Sequence, residues 1–147
     1  MMIIDGKKEA EILRLEIKKE IDLLKSKNNK VPGLTVILIG DFAPSQIYVK
    51  NKEKIAKEVG INSSVVRYSK EVTEDEVLKK IEDLNNDTDV SGILVQLPLP
   101  PQINKEKIIN AINPKKDVDG FHPMNVGNLS SGYHAIVPCT PLGCLYL

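Results

Sequence analysis

The sequence has 147 residues, which is enough for one compact domain with its own hydrophobic core. Its 20 basic and 20 acidic side chains cancel, so charge gives no support to a nucleic-acid or anionic-membrane surface. The longest apolar run, Val36–Gly40, is too short to span a membrane, and the N-terminus lacks the apolar core of a signal peptide. Cys139 and Cys144 form neither a disulfide framework nor a zinc pattern. We therefore expect a cytosolic protein whose two thiols are reduced and structural or incidental.

Helical and strand patterns alternate along the chain. In order they predict an amphipathic helix over 7–27, a buried strand over 33–40, a helix over 43–60, a weaker strand over 63–69, a helix over 73–84, a strand over 90–100 and a short helix from Asn104. The third helix begins with a capping box formed by Thr73 and Glu76. Residues 113–144 have the composition of a loop-rich tail. The alternation predicts an α/β fold, a three-layer sandwich with a mainly parallel sheet and right-handed crossovers.

The helix over 43–60 has a lysine on its apolar face. Its polar face carries Lys50 and Lys54, whereas Lys52 projects from the face that holds Val49 and Ile55. We expect Lys52 to be surrounded by apolar side chains rather than by water, which lowers a lysine pKa and favours proton exchange near pH 7. The alternative is a lysine whose stem packs while its ammonium group reaches solvent.

Ser45, Tyr48 and Lys52 follow one another at spacings of three and four, so they line one face of this helix. Gln96 stands at the end of the third strand, where its amide can point into a cleft. Because open parallel sheets bind ligands beyond the carboxyl ends of their strands, we expect Tyr48, Lys52 and Gln96 at the same edge. The alternatives are an ordinary aromatic at the core rim for Tyr48, and a strand-ending polar residue satisfied by a neighbouring loop for Gln96.

The segment "NPKKDVDGFHP" is the densest polar loop of the chain. Asp117 and Asp119 are two residues apart, but the segment lacks the further oxygen ligands of a calcium loop. Either aspartate can bond turn N–H groups, or one can grip an amine or amide of a ligand. His122 and His134 have no companions at ligand spacing, and we expect both to be structural. We predict no metal site, and no glycine-rich turn to cradle a pyrophosphate.

Four stretches, "YVKNK", "GILVQLPLP", "NPKKDVDGFHPMNVGNL" and "PCTPLGC", together resemble the bifunctional methylenetetrahydrofolate dehydrogenase/methenyltetrahydrofolate cyclohydrolase family, in the same order and over essentially the whole chain. The resemblance implies one-carbon folate metabolism, and with it purine biosynthesis. It implies oxidation of 5,10-methylenetetrahydrofolate by NADP or NAD, followed by hydrolysis of the methenyl form to 10-formyltetrahydrofolate.

The resemblance also implies roles for single residues. By it, Tyr48 stacks on the aminobenzoyl ring, Lys52 transfers protons and polarises the one-carbon unit, Gln96 positions Lys52, and Asp119 holds the pterin ring; these four form the expected catalytic set. The backbone near Val95 and Leu97 is expected to line the pterin slot. The full expected substrate-binding set is Ser45, Tyr48, Val49, Lys50, Asn51, Lys52, Val95, Gln96, Leu97, Pro98 and Asp119.

The family continues into a Rossmann-type domain, whereas this sequence ends at Leu147. Thr140 followed by Pro141 is typical of a helix start. We therefore expect 1–139 to be the folate-binding catalytic domain, and 140–147 the start of a truncated connecting helix toward a missing domain that binds NADP or NAD. No cofactor is expected on this chain, which should lack dehydrogenase activity and retain at most weak cyclohydrolase activity.

The parent enzyme is expected to be a homodimer that binds tetrahydrofolate derivatives but neither nucleic acid nor membrane. The alternative function is a non-catalytic folate-binding or assembly module. The substitution Lys52→Met separates the two, because only a catalyst has turnover to lose.

Overall fold

The computed structural model describes residues 4–28 and 30–147, so four residues of the predicted 1–139 domain lie outside it. Within these residues six helices and three strands follow one another. They are α1 Gly6–Asn28, β1 Gly33–Ile39, α2 Ala43–Val59, β2 Asn62–Tyr68, α3 Glu74–Asn86, β3 Gly92–Val95, α4 Lys105–Ala111, α5 Pro123–Ser130 and α6 Cys139–Leu145. The first seven match the predicted elements in type and order. No helix in the described ranges is both long and apolar enough to cross a bilayer.

The three strands form a parallel sheet in the order β2-β1-β3. β1 is the central strand, and its Val36 pairs with Val65 of β2 and with Leu94 of β3. All seven residues of β1 are buried or half-buried, as expected for a strand covered on both faces. The predicted α/β fold with a parallel sheet is confirmed.

Alternate residues of β1 enter two separate cores because successive side chains of a strand point to opposite faces. Ile37 and Ile39 pack in a cluster with α3 and α4 residues that include Ile81 and Ile108. On the other face, Val36 and Leu38 pack with Val49 of α2. Helix α1 lies against α2. Helices therefore cover both faces of the sheet, which makes the predicted three-layer sandwich.

Lys116 ties the loop after α4 to both α3 and the sheet. Its Nζ donates to the carbonyl oxygens of Leu84, Asn85 and Asp87 at 2.9, 2.9 and 2.7 Å, where α3 ends. Leu84 and Asn85 lie in the last turn of α3, where carbonyls have no partner within the helix, so the lysine acts as a C-terminal cap. The Asp87 carbonyl also accepts from the Val90 N–H at 3.4 Å. The Lys116 carbonyl in turn accepts from the Ile93 N–H at 2.7 Å. The following residues, including Asp117 and Asp119, are thereby held beside β3.

Two predictions for residues 113–144 are wrong. The loop-rich tail contains α5, whose first turn is capped by His122, because the His122 Nδ1 accepts from the Met124 N–H at 3.1 Å. Glycine and asparagine within α5 weaken the helical pattern, which explains why it was missed. The last helix begins at Cys139 after an extended Pro138, so Thr140 lies inside the first turn and makes no cap. The ring of Pro141 is tolerated there because first-turn N–H groups have no helical partner.

Candidate active site

The carboxyl end of β1 leads directly into α2 through a tight turn. Gly40 has a positive φ of 78°, a conformation that costs glycine little. The Gly40 carbonyl accepts from Gln46 Nε2 at 3.1 Å, and Gln46 Oε1 accepts from Arg67 Nη1 at 2.6 Å. This chain of bonds links the first turn of α2 to the end of β2. Tyr48 and Lys52 follow one and two turns later, at the carboxyl edge of the sheet.

Lys52 and Gln96 are joined across this edge. Lys52 Nζ donates to Gln96 Oε1 at 3.1 Å, although the residues are 44 positions apart. Gln96 Nε2 donates to the Leu97 carbonyl at 2.8 Å. Because the amide nitrogen is held by this carbonyl, the amide oxygen is presented to Lys52. Gln96 is thus satisfied by the following loop, and although it does not itself line the cleft described below, its amide oxygen is bonded to a lysine that does.

The Leu97 carbonyl also accepts a bond from Ser45. The Ser45 side chain is buried, and its Oγ donates to this oxygen at 3.3 Å. The Leu97–Pro98 peptide is cis. Ser45 therefore holds the loop after β3 against the first turn of α2.

The expected burial of Lys52 is wrong. Its side chain is exposed, and neighbouring Tyr48 is 61% exposed. Of the two apolar residues named on its face, Ile55 is partly exposed and only Val49 is fully buried, since it belongs to the core beneath α2. The reason is that this face of α2 borders an open cleft rather than another element. The burial on which the expected lysine chemistry depended is absent, and what holds Lys52 is its bond to Gln96.

Asp119 is half-buried and lines the same cleft as Lys52. Burial raises the pKa of the Asp119 carboxyl above its usual value, the Lys52 ammonium lowers it, and the charge of Asp117 raises it. Burial is the largest of these effects, so the net shift is upward. A carboxyl group in this state accepts hydrogen bonds as an anion and can hold a proton more readily than an exposed aspartate.

The cleft has a volume of about 590 Å³ and runs between α1, α2 and the strands β1 and β3. Its walls are largely apolar, with Leu34, Ile55 and Leu94 among them. Tyr48, Asn51, Lys52 and Asp119 are the lining residues that belong to the predicted site. An apolar cleft with a few polar side chains is typical of a site for a flat organic ligand.

Other predicted site residues lie elsewhere. Val95 and Leu97 line a separate cavity of about 10 Å³, which also contacts Asp119. Val49 is wholly buried in the core and does not line the cleft. Lys50 and Pro98 are exposed and do not line the cleft.

Arg14 and Cys139 are among the cleft-lining residues that the sequence analysis did not predict. Arg14 of α1 lies three positions before Ile17, and both line the cleft, so the helical spacing of α1 could have indicated it. Cys139 also lines the cleft, and its Sγ lies 3.7 Å from the Val118 carbonyl oxygen that accepts its hydrogen bond. Both cysteines are free and exposed, in contrast to the burial usual for free thiols.

Asp117 follows the turn interpretation. It is buried, and its Oδ2 accepts from the His122 N–H at 2.8 Å and from Asn125 Nδ2 at 3.0 Å. His122 serves as the cap of α5, as expected for a structural histidine, while His134 is exposed. Within the described ranges no three His, Cys, Asp or Glu side chains are grouped as metal ligands would be.

The described residues do not fit a nicotinamide dinucleotide. The turn after β1, residues 40–42, lacks the glycine spacing of a pyrophosphate-binding turn, and α2 has Pro44 in its first turn, where a phosphate would need an N–H donor. The sequence-based expectation that NADP or NAD is bound outside this chain stays a prediction.

Comparison with known proteins identifies relatives of this chain in both sequence and structure. Residues 4–119 match the family described as tetrahydrofolate dehydrogenase/cyclohydrolase, catalytic domain. The bifunctional protein FolD of Pelagibacter ubique (strain HTCC1062) is 65% identical over 144 residues, which cover 98% of this chain and 51% of that protein.

Solved structures agree. The bifunctional enzyme FolD from Campylobacter jejuni superposes with a TM-score of 0.93 at 47% identity, covering 96% of this chain and 50% of that one. The Trypanosoma brucei methylenetetrahydrofolate dehydrogenase-cyclohydrolase, complexed with NADP cofactor and inhibitor, has a TM-score of 0.90 at 36% identity, covering 95% and 48%. This chain spans about half the length of the relatives it matches. The resemblance of the four motifs is confirmed, and the chain belongs to the tetrahydrofolate dehydrogenase/cyclohydrolase family.

Proposed function

We propose that the cleft binds a one-carbon derivative of tetrahydrofolate, and that Lys52 exchanges protons during hydrolysis of the 5,10-methenyl form to 10-formyltetrahydrofolate. The observation that carries this proposal is the bond between Lys52 Nζ and Gln96 Oε1 at 3.1 Å, beside a cleft shared with Asp119. These are the residues to which the family resemblance assigns proton transfer, lysine orientation and pterin binding.

The shape of the cleft suits the substrate. Apolar walls can cover the flat faces of a pterin and an aminobenzoyl group, and the exposed ring of Tyr48 is free to stack on one of them. The Asp119 carboxylate can accept hydrogen bonds from pterin N–H groups. Burial removes water from this carboxylate, which raises its pKa. An N–H donor on a bound ligand would replace the lost solvation.

The hydrolysis requires three proton movements. Water adds to the methenyl carbon and releases one proton, which gives a carbinolamine. The bond from this carbon to N5 then breaks, N5 takes up a proton, and the hydroxyl loses its proton to become the formyl carbonyl. Lys52 is the group that we assign to these transfers, because Gln96 holds its nitrogen at the cleft. Gln96 orients it by accepting one of its N–H bonds.

We further propose that the dehydrogenase step needs NADP or NAD held outside these residues, so that this chain alone does not oxidise methylenetetrahydrofolate. The division into 1–139 and 140–147, a homodimeric longer parent and a cytosolic location belong to the same proposal. An increase in NADPH absorbance when this chain is given the methylene substrate and NADP would contradict it.

The test of the catalytic role measures the decay of methenyltetrahydrofolate absorbance with no nicotinamide added. General acid–base groups contribute about 10²–10⁴-fold, so we expect Lys52→Met to lose about a hundredfold or more of the acceleration over buffer. The matched control is Lys54→Met in the same helix, where the lysine is exposed and pairs with Glu58. We expect this control to match the unsubstituted chain.

Each outcome decides between the two functions. Equal rates for the unsubstituted chain and Lys52→Met would remove Lys52 from the mechanism. If no variant exceeds the buffer rate and calorimetry shows that tetrahydrofolate is bound, the chain is a folate-binding module. If tetrahydrofolate is not bound either, the proposed function of this chain is wrong.

A further inference from the structure

Two buried polar residues lie behind the cleft and are not explained by the proposed chemistry. Asp117 is 2% exposed and Asn125 of α5 is 6% exposed. The Asp117 Oδ2 accepts from Asn125 Nδ2 at 3.0 Å and from the His122 N–H at 2.8 Å. The same Asn125 nitrogen donates to the Pro114 carbonyl at 2.9 Å, so both of its hydrogens are used. A buried carboxylate is costly without such partners, so this pair is a built feature of the fold.

These bonds hold one short segment at three points. Pro114 begins the segment, Asp117 lies in its middle and His122 ends it, and Asn125 of α5 contacts the first two directly. Asp119 lies between the second and third points. The segment is therefore fastened to α5 on both sides of the carboxylate that lines the cleft.

The remaining side of the segment is fixed by backbone contacts. The Lys116 carbonyl accepts from the Ile93 N–H at 2.7 Å, which seats the segment on β3. Gly120 has a φ of +67°, and a Cβ there would lie 2.5 Å from the Ile136 carbonyl oxygen. The backbone on either side of Asp119 thus has little freedom, while its side chain faces the cleft with Lys52.

We propose that Asn125 and Asp117 are positioning residues, whose buried pair fixes the Asp119 carboxylate at the cleft opposite Lys52. Neither side chain lines the 590 Å³ cleft itself, so both act through Asp119. The inference rests on the proposed function only for the identity of the ligand that Asp119 binds. That the pair of Asn125 and Asp117 fixes the position and surroundings of Asp119 does not depend on any ligand.

The test begins without ligand. Carboxyl carbon NMR follows the titration of Asp119 in the unsubstituted chain and in Asn125→Ala. The titratable groups that face Asp119 or share its cleft are Lys52 and Tyr48 of α2, Asp117 of its own loop, Arg14 of α1 and Cys139 of α6. Loss of the pair should let the segment move toward solvent. We therefore expect the Asp119 midpoint to shift downward in Asn125→Ala, toward that of an exposed aspartate.

The matched control is Asn128→Ala, which removes the same amide from the same helix but takes no part in the pair. Asn125→Ser is the milder second variant, because a hydroxyl can donate one bond; we expect a smaller shift, and it serves if Asn125→Ala does not fold. Circular dichroism melts establish which variants are folded before titration.

A second measurement uses tetrahydrofolate as the probe in calorimetry. If Asp119 is displaced in Asn125→Ala, its carboxylate loses one hydrogen bond to the bound tetrahydrofolate, and we expect roughly a tenfold weaker affinity. If the unsubstituted chain does not bind tetrahydrofolate, the proposed function fails while the titration still decides the inference. An Asp119 midpoint that is unchanged in folded Asn125 variants overturns it, and so does an equal shift in Asn128→Ala.

Discussion

Substitution of Lys116 tests whether the segment that carries Asp119 is anchored as the structure indicates. The Lys116 ammonium group donates three hydrogen bonds, to the carbonyls of Leu84, Asn85 and Asp87 at the end of α3. In Lys116→Met the Leu84 and Asn85 carbonyls lose this partner and the Asp87 carbonyl keeps only the Val90 N–H, while the apolar stem of the side chain is largely kept. Stability should fall, because the last carbonyls of α3 lose the ammonium group that caps them and the following loop loses its side-chain attachment to α3.

The magnitude follows from the three bonds. A hydrogen bond to a charged group contributes about 1.5–3 kcal/mol net, but three bonds to one ammonium are not additive. The acceptor at Asp87 is at an exposed residue, so water can replace the lysine there. We therefore expect a loss of about 2–3 kcal/mol in the free energy of unfolding. For a chain of this length that corresponds to a fall in Tm of roughly 4–10 °C.

The assay is urea unfolding followed by circular dichroism, with the midpoint and slope fitted for each variant. Lys115→Met is the matched control, since its neighbouring side chain is exposed and contributes only its backbone N–H to a bond with Asn113. The control should lie within about 0.5 kcal/mol of the unsubstituted chain, as is usual for surface positions. A loss in Lys116→Met no larger than in the control would refute the anchoring role of Lys116.

Two further predictions concern a backbone position and an acid-dependent contact. Gly120→Ala should destabilise the fold by about 2 kcal/mol or more, because its positive φ and the nearby Ile136 carbonyl oxygen exclude a Cβ; thermal unfolding measures this, and an unchanged Tm would contradict it. The bond from Lys107, followed by that from the Asn104 N–H, lowers the pKa of Glu74. The contribution of this contact to stability is present above the usual carboxyl pKa and is lost as pH falls through the lower pKa that Glu74 has in the folded state. Between roughly pH 7 and pH 3 the Tm should fall more steeply in the unsubstituted chain than in Glu74→Gln, and equal slopes would rule the contact out.

The open cleft changes how the lysine must be understood. Sequence reasoning placed Lys52 on an apolar face and inferred burial, since side chains on such a face usually pack against another element. In the structure that face of α2 borders a cleft of about 590 Å³, and Lys52 is exposed. Its position comes from Gln96, so the predicted pairing is present although the predicted burial is not. Helical spacing identifies which residues share a face, but it does not say what lies opposite.

The two aspartates of the polar loop show a similar limit. Asp117 and Asp119 are chemically equivalent and two residues apart, and the sequence allowed either a turn or a ligand role. In the structure Asp117 turns inward to Asn125 and His122, and Asp119 turns to the cleft. The difference depends on α5, which sequence reasoning missed because its helical pattern is weak. The family resemblance selected Asp119, whereas residue spacing alone did not.

Local patterns in the sequence determined the order of the first seven helices and strands and the cap of α3 by Thr73 and Glu76, and the alternation of these elements indicated the parallel sheet. Each helix, strand and cap depends on residues within a few positions of one another, so hydrophobic spacing and capping residues predict them. Tertiary structure decided the rest: the bond between Lys52 and Gln96, the exposure of Lys52, and the inward turn of Asp117. Each of these depends on how separate elements pack. The spacing of residues along one helix or strand does not indicate which other element, if any, packs against each of its faces.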